Sequence, residues 1–276
     1  MLEIMTVMKG FVVGAFMLVP GVSGGTMCMV FKVYDRLIES VSRFTDNVKK
    51  NFFFLIQFVL GAGVAFLLLS KVVTGLNIAF PKEVAFFVMG AIAAGLPVIY
   101  KEAKVEKLSP KILFYGALGL LIVFLFTRLP KNLFTVTDLN LVTVIIQIFA
   151  GVLGALGLIL PGISFSAMLY MMGVYNFIYG AIGDRNFLVL IPFGIGMLLG
   201  VILLTRILEL AMKKHPTPTY LVIIGFVIGS IGDIIKEMDG LPKGSQWVVC
   251  IVTFIVGFVS IYLMGKWEER KMKNEI

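Results

Sequence analysis

The chain has 276 residues, of which 59% are hydrophobic and 14% are charged, and its mean hydropathy is +1.01. This composition excludes a soluble globular protein and indicates an integral membrane protein. The net charge of +8 predicts contact with membrane lipid headgroups and not with nucleic acid, since the cations cluster beside the apolar runs. Cys28 and Cys250 lie within apolar runs, which is typical of buried hydrophobic residues and predicts neither a disulfide nor a metal site.

The first apolar stretch, residues 10–31, is broken near its middle and lies within a predicted hairpin at residues 3–42. Residues 19–27 read Val-Pro-Gly-Val-Ser-Gly-Gly-Thr-Met and are followed by Val33 and Tyr34. A Pro-Gly break frees backbone N–H and C=O groups, which are costly in lipid unless protein or water satisfies them. Because both arms are short, we expect a re-entrant hairpin. The stretch has no small-residue cleavage site, so we expect it to stay in the mature protein.

Three uncharged runs follow, each of a length that suits a helix crossing a hydrocarbon core of about 30 Å. They predict membrane spans at residues 52–73, 83–100 and 111–128.

The second half opens with a much longer uncharged run, residues 139–183. As one helix it would measure roughly 68 Å, so the chain must turn back. Residues 160–168 read Leu-Pro-Gly-Ile-Ser-Phe-Ser-Ala-Met and are followed by Val174 and Tyr175, which repeats the first break at a constant offset of 141. Three further spans are predicted at residues 187–207, 217–236 and 245–265.

The order of these elements predicts an all-α polytopic membrane protein with two inverted-topology repeats, residues 1–131 and 132–276. Each repeat consists of a Pro-Gly-broken re-entrant hairpin followed by three transmembrane helices. Later residues also recur: Gly90 matches Gly225, and Lys101 matches Lys236, both at an offset of 135. Three crossings are an odd number, so the second repeat is expected to enter the membrane from the opposite side.

The distribution of Lys and Arg predicts the orientation, because cations collect in cytoplasmic loops. If both hairpins return to their own side, 17 of the 24 cations fall on one face. We therefore expect a multi-pass protein of the cytoplasmic membrane with both termini in the cytoplasm. The loop around Lys104 is then cytoplasmic, and the loops around Lys131 and Lys243 lie outside.

The two breaks are the predicted substrate site, because matched breaks in two halves are typical of transporter binding sites. A helix that opens after such a turn offers free amides and hydroxyls to an anion. The residues assigned to this site are Gly21, Ser23, Gly24, Gly25 and Thr26 in the first copy and Gly162, Ser164 and Ser166 in the second. The alternative is that these small residues only permit turns and tight helix packing.

Lys71 and Arg206 are repeat partners at the ends of equivalent spans and are assigned to the same site. Ionisable residues at such places are functional candidates, although snorkelling to headgroups is the more common explanation for a cation at a helix end. Arg206 also lies three residues before Glu209, a spacing that favours an ion pair. The apolar runs contain no catalytic triad or metal-ligand cluster, so no catalytic residue, metal or cofactor is predicted.

These residues resemble those of a bacterial and archaeal membrane family described as polyprenyl-phosphate transporters, formerly a family of unknown function. The resemblance rests on the paired motifs and on residues 33–38, Val-Tyr-Asp-Arg-Leu-Ile. It implies that the chain returns undecaprenyl phosphate from the outer to the inner leaflet for reuse in cell-envelope synthesis. Met17 stands where family members often carry an acidic residue, and Phe165 and Ser166 stand where they have Gly-Gly.

Two other functions remain open from the residues. An ion channel or small-anion exchanger would line a pore with the broken hairpins. An intramembrane lipid phosphatase would need a nucleophile and a base. The apolar runs contain no histidine or paired carboxylates, which argues against this function. The expected partners are a polyprenyl-phosphate lipid and membrane lipids, and an oligomer is compatible with the sequence.

Overall fold

A computed structural model describes residues 3–105, 109–128, 130, 132–134, 140–238 and 240–274, which form helices and no strand. The all-α prediction is confirmed. The helices of the first half are α1 (Ile4–Met17), α2 (Gly24–Val30), α3 (Tyr34–Ser42), α4 (Val48–Ala79), α5 (Pro81–Glu102) and α6 (Pro110–Arg128). Those of the second half are α7 (Leu141–Ile159), α8 (Phe165–Met172), α9 (Tyr175–Gly183), α10 (Ile191–Lys214), α11 (Pro216–Glu237) and α12 (Gln246–Asn274).

Six of the described helical segments are long and apolar enough to cross a membrane. They are Phe44–Ala79, Pro81–Glu102, Leu141–Ile159, Phe187–Lys214, Pro216–Lys236 and Gln246–Lys266. α7, the first arm of the second hairpin, is one of these six, and α6 has the same length of 19 residues. α8 and α9 are bent by 109° at the break between them.

Within each half, the first helix packs on a later helix through glycine contacts, and the two halves use corresponding helices. α1 packs against α4, and α7 packs against α10. In each pair a glycine lies where any Cβ would meet the backbone of the partner helix, so the helices touch at their main chains. These contacts are Gly10 on Phe58, Gly61 on Val7, Gly151 on Phe193 and Gly196 on Ile148.

The remaining long helices pair across the halves. α5 packs against α12, and α6 packs against α11. The glycine contacts here are Gly90 on Phe254, Gly257 on Phe87, Gly119 on Val222 and Gly225 on Gly116. Each half therefore covers a helix of the other, and the halves interlock. The opposite orientation of the halves in the membrane stays a prediction.

Charged residues separate to the two ends of the α5–α12 pair. At the start of these helices, the Lys82 ammonium donates to the Leu241 carbonyl at 3.2 Å and to the Gln246 side chain at 3.4 Å. At their other end Lys101 and Lys266 line one cavity together with Lys32. The count of cations in the sequence also places Lys82 on the opposite face of the membrane from these three lysines. Lys131, which that prediction places outside, lies beyond the described residues.

Candidate functional site

Both Pro-Gly breaks are turns with a left-handed glycine. Gly21 has φ of +80° and Gly162 has φ of +77°, a conformation that residues with a Cβ rarely adopt. The Val22 N–H donates to the Val19 carbonyl at 3.2 Å and closes the first turn. α2 then begins at Gly24 and α8 at Phe165. The sequence prediction of two turns at these places is confirmed.

The tips of the two hairpins contact each other. The Gly162 N–H donates to the hydroxyl oxygen of Thr26 at 3.1 Å, and Thr26 is fully buried. The Tyr34 hydroxyl donates to the Ile159 carbonyl at 3.0 Å, also in a buried setting. Thr26 and Tyr34 of the first hairpin thus satisfy an amide and a carbonyl beside the break in the second. These are the backbone groups that a break inside lipid exposes.

Gly24 and Gly25 have different neighbours, although both open α2. A Cβ at Gly25 would lie 2.8 Å from the Ile159 carbonyl oxygen and 3.1 Å from the Pro161 nitrogen, which are backbone atoms. A Cβ at Gly24 would lie 2.9 Å from the Met17 sulfur, the end of a flexible side chain. Gly25 is therefore required for the approach of the two tips. Gly24 is covered by the side chain at the position where the resembled family often has an acid.

The serines at the two breaks differ in their hydrogen bonds. The Ser164 hydroxyl accepts from the Ala167 N–H at 3.4 Å and caps α8. Ser23 occupies the same place before α2 but caps nothing, and its buried hydroxyl has no hydrogen-bond partner among the described residues. Ser166 is half-buried. A buried polar group without a partner is uncommon and calls for an explanation such as a ligand or water.

Lys71 and Arg206 are exposed on α4 and α10. In the part of the chain that the structure describes, no hydrogen bond or ion pair joins either residue to a tip. This placement favours snorkelling for both. Of the predicted site residues, the structure brings together those of the two tips and leaves these two cations apart.

A buried carboxylate that sequence reasoning did not connect to the first hairpin lies on α10. Glu209 is 4% exposed, forms an ion pair of 2.6 Å with Lys213, and contacts Arg43 and Ser42 at the end of α3. Lys213 also reaches Glu39 on α3 at 3.2 Å. The cluster ties the first hairpin to the second half. The spacing of Arg206 and Glu209 did not predict this cluster, because Ser42 and Glu209 are 167 residues apart in the sequence.

A second polar contact joins α3 to α11. The Tyr220 hydroxyl donates to the Asp35 carboxylate at 2.7 Å, beside a cavity of about 120 Å³ that Lys32 and Glu102 also line. Asp35 lies outside the six spanning segments. Its burial raises the pKa of this carboxyl, the hydrogen bond from Tyr220 lowers it in part, and the nearby Glu102 raises it further.

The fold and the joined tips define a class of protein. Paired broken helices inside an apolar helical protein with two similarly ordered halves are typical of internally repeated membrane transporters. The undecaprenyl phosphate translocase-like (VCA0040-like) family matches residues 13–246, and the chain belongs to this family.

Two named relatives agree with the family. The polyprenyl-phosphate transporter of Staphylococcus aureus is 31% identical over 272 residues, which cover 94% of this chain and 95% of that protein. The polyprenyl-phosphate transporter of Vibrio cholerae is 26% identical over 243 residues, covering 83% and 76%. No solved structure matches the chain significantly. The family and its named members indicate a transporter and not an enzyme.

Proposed function

We propose that this protein moves a polyprenyl phosphate across the cytoplasmic membrane, from the outer leaflet to the inner, so that cell-envelope synthesis can reuse the lipid. The observation that carries the proposal is the pair of broken hairpins that meet tip to tip inside the protein, in a chain whose named relatives are polyprenyl-phosphate transporters.

Such a lipid has an anionic head and a long apolar tail. Its carrier therefore needs a polar binding site within the membrane, and that site must open sideways to the lipid. The tips supply backbone amides at the starts of α2 and α8 and the hydroxyls of Ser23, Ser164 and Ser166. The Ser23 hydroxyl supports this assignment because it is buried and makes no hydrogen bond within the described chain. We therefore infer that the phosphate contacts the tips when they separate.

The unequal packing of the hairpins supports movement between two arrangements. α3 of the first hairpin packs on α10, where Arg43 and Lys213 meet Glu209. α9, the matching helix of the second hairpin, makes no comparable packing on α4 in the described part of the chain. We infer that one side is closed here and that transport exchanges the roles of the two hairpins around their tips. The end that carries Lys101 and Lys104 is the cytoplasmic one in this proposal.

Reconstituted transport tests the proposal. Fluorescent polyprenyl phosphate is placed in proteoliposomes, and the fraction that becomes accessible to an impermeant quencher is followed in time. We expect faster exchange than in protein-free vesicles, no accompanying chloride or inorganic phosphate flux, and no release of phosphate from the lipid. Ion flux without lipid movement would favour a channel or exchanger, and phosphate release would favour a lipid phosphatase.

A further inference from the structure

A groove at one end of α5 and α12 combines cations with an apolar wall. Its volume is about 510 Å³, within the usual range for a small-molecule site. Among the described side chains, Lys32, Lys101 and Lys266 line it together with one carboxylate, Glu102. The apolar part of the lining includes Phe258 and Ile261 of α12.

The groove has the polarity that a membrane-embedded anionic lipid requires. Lys101 lies one residue before the end of α5, and Lys266 ends the spanning part of α12. Cations at the ends of spanning helices are expected near the lipid headgroups. Phe258 and Ile261 lie one to two helical turns deeper along α12, within the same span. Cations thus stand at the mouth and apolar side chains run toward the hydrocarbon.

The groove shares lining residues with a second cavity, which Tyr34 of the first hairpin also lines. A smaller adjoining cavity of about 120 Å³ shares Lys32 and Glu102 with it and reaches Tyr34. The Tyr34 hydroxyl binds the Ile159 carbonyl beside the second break. A phosphate held at Lys32 would therefore lie beside the cavity that Tyr34 lines.

We propose that this groove is a docking site for one polyprenyl phosphate, with its phosphate held by Lys32, Lys101 and Lys266 and its first isoprene units along Phe258 and Ile261. The inference rests on the proposed function and adds a place where the lipid binds before or after it reaches the tips. A phosphomonoester carries a charge of about −1.5 to −2 near neutral pH, so it gains more from three ammonium groups than the singly charged head of a phosphatidylglycerol does.

Binding of undecaprenyl phosphate to the purified full chain in detergent, followed by native mass spectrometry, tests the proposal with the variants Lys101→Gln and Lys266→Gln. Each should weaken binding about fivefold, and the pair roughly 25-fold, as expected for loss of one cation near a lipid surface. Lys236→Gln is the matched control, because Lys236 is the repeat partner of Lys101 but pairs with Asp233 at 3.0 Å. It should bind like the parent.

A filling variant tests the apolar wall. Gly265 lines the groove, and a Cβ there meets nothing within 4 Å, so Gly265→Leu should occupy the groove without disturbing α12. We expect at least a tenfold loss of lipid binding. Gly63→Leu, on α4 and equally open at its Cβ, is the control and should bind normally.

The outcomes separate this inference from the proposed function. If the parent protein neither binds nor moves the lipid, the proposed function fails and the docking site fails with it. If the parent binds and moves the lipid while the Gln pair and Gly265→Leu bind as tightly, only the groove assignment is wrong. Equal competition by phosphatidylglycerol or by inorganic phosphate would also overturn it, as a general anion site.

Discussion

The two hairpins carry one motif but sit in different surroundings. In the first, Met29 is 5% exposed and Ile38 is 0% exposed, and their counterparts at the repeat offset of 141 are Tyr170 and Tyr179. In the second, Tyr170 is 39% exposed and Tyr179 is 45% exposed. The two copies of the motif are therefore buried to different extents in the same molecule. A transporter whose halves exchange roles would show this inequality in each of its end states.

The residues after each break explain part of the difference. Phe165 packs on its own arm of the hairpin, where a Cβ at Gly157 would lie 2.7 Å from the Phe165 Cα. Gly25, which has no side chain, instead lets α2 approach the other hairpin at Ile159. The Phe165 ring also lies against α7, since a Cβ at Gly154 would be 3.1 Å from it, whereas Gly25 leaves room for the joint between the tips.

The largest expected effect comes from Gly25→Val, which removes this joint. The new side chain would meet backbone atoms of Ile159 and Pro161, so we expect a loss of about 2–3 kcal/mol of stability and of transport. Thermal unfolding in detergent measures the first and the proteoliposome assay the second. Gly24→Ala is the matched variant and should unfold nearly like the parent, because the Met17 side chain can move. If both variants unfold at the same temperature as the parent, the close approach at Gly25 does not join the tips.

Thr26→Val tests the hydrogen bond across the tips. The substitution keeps the shape of the side chain but leaves the buried Gly162 N–H without its acceptor, which costs roughly 1–3 kcal/mol. Thr26→Ser keeps the hydroxyl and is the control. We expect a lower unfolding temperature for the valine variant only. If serine and valine behave alike, packing and not the hydrogen bond joins the tips.

Glu209→Gln should weaken the contact of α3 with α10, so that the first hairpin becomes more exposed, as the second hairpin is. The cations that it pairs with are about half exposed, so we expect a loss of only about 1 kcal/mol. The clearer signal is labelling of the buried Cys28 on α2 by a membrane-permeant maleimide. Its rate should rise several-fold, while that of Cys250 on α12 stays constant. Unchanged protection of Cys28 would show that the α3–α10 contact does not hold the hairpin closed.

Ser23→Ala has the smallest expected effect on the fold and separates binding from stability. Its hydroxyl has no partner in the described chain, so unfolding should change by less than about 0.5 kcal/mol. Affinity for polyprenyl phosphate should fall about twofold to tenfold, the value of one neutral hydrogen bond. Ser164→Ala should instead cost about 1 kcal/mol, because Ser164 caps α8. Full affinity in the Ser23 variant would leave the tip without a role in binding.

The sequence was sufficient for features that depend on neighbouring residues. The apolar runs, the two Pro-Gly turns and the burial of Cys28 and Cys250 all follow from local composition and are confirmed. The division of the chain into hairpins and spans stays a prediction. α7 is an unbroken helix of 19 residues that begins with the capping box of Asn140 and Thr143.

The contacts between the tips could not be read from the motifs. Thr26 and Gly162 are 136 residues apart, and a repeat pattern predicts that two sites are alike, not that one binds the other. The same limit applies to Glu209, whose spacing pointed to Arg206 on its own helix, while Arg43 and Ser42 come from the other half. Long-range polar contacts depend on how helices pack, and only the structure provides that packing.

If transport exchanges the roles of the two hairpins, the first hairpin must leave α10 during each transport cycle. A reducible bis-thiol cross-linker between Arg43→Cys and Lys213→Cys, in a background without Cys28 and Cys250, tests it directly, since both positions are about half exposed. The uncross-linked protein should move polyprenyl phosphate, the cross-linked protein should not, and reduction should restore movement. Transport at the same rate with the cross-link in place would show that the first hairpin stays on α10 throughout transport.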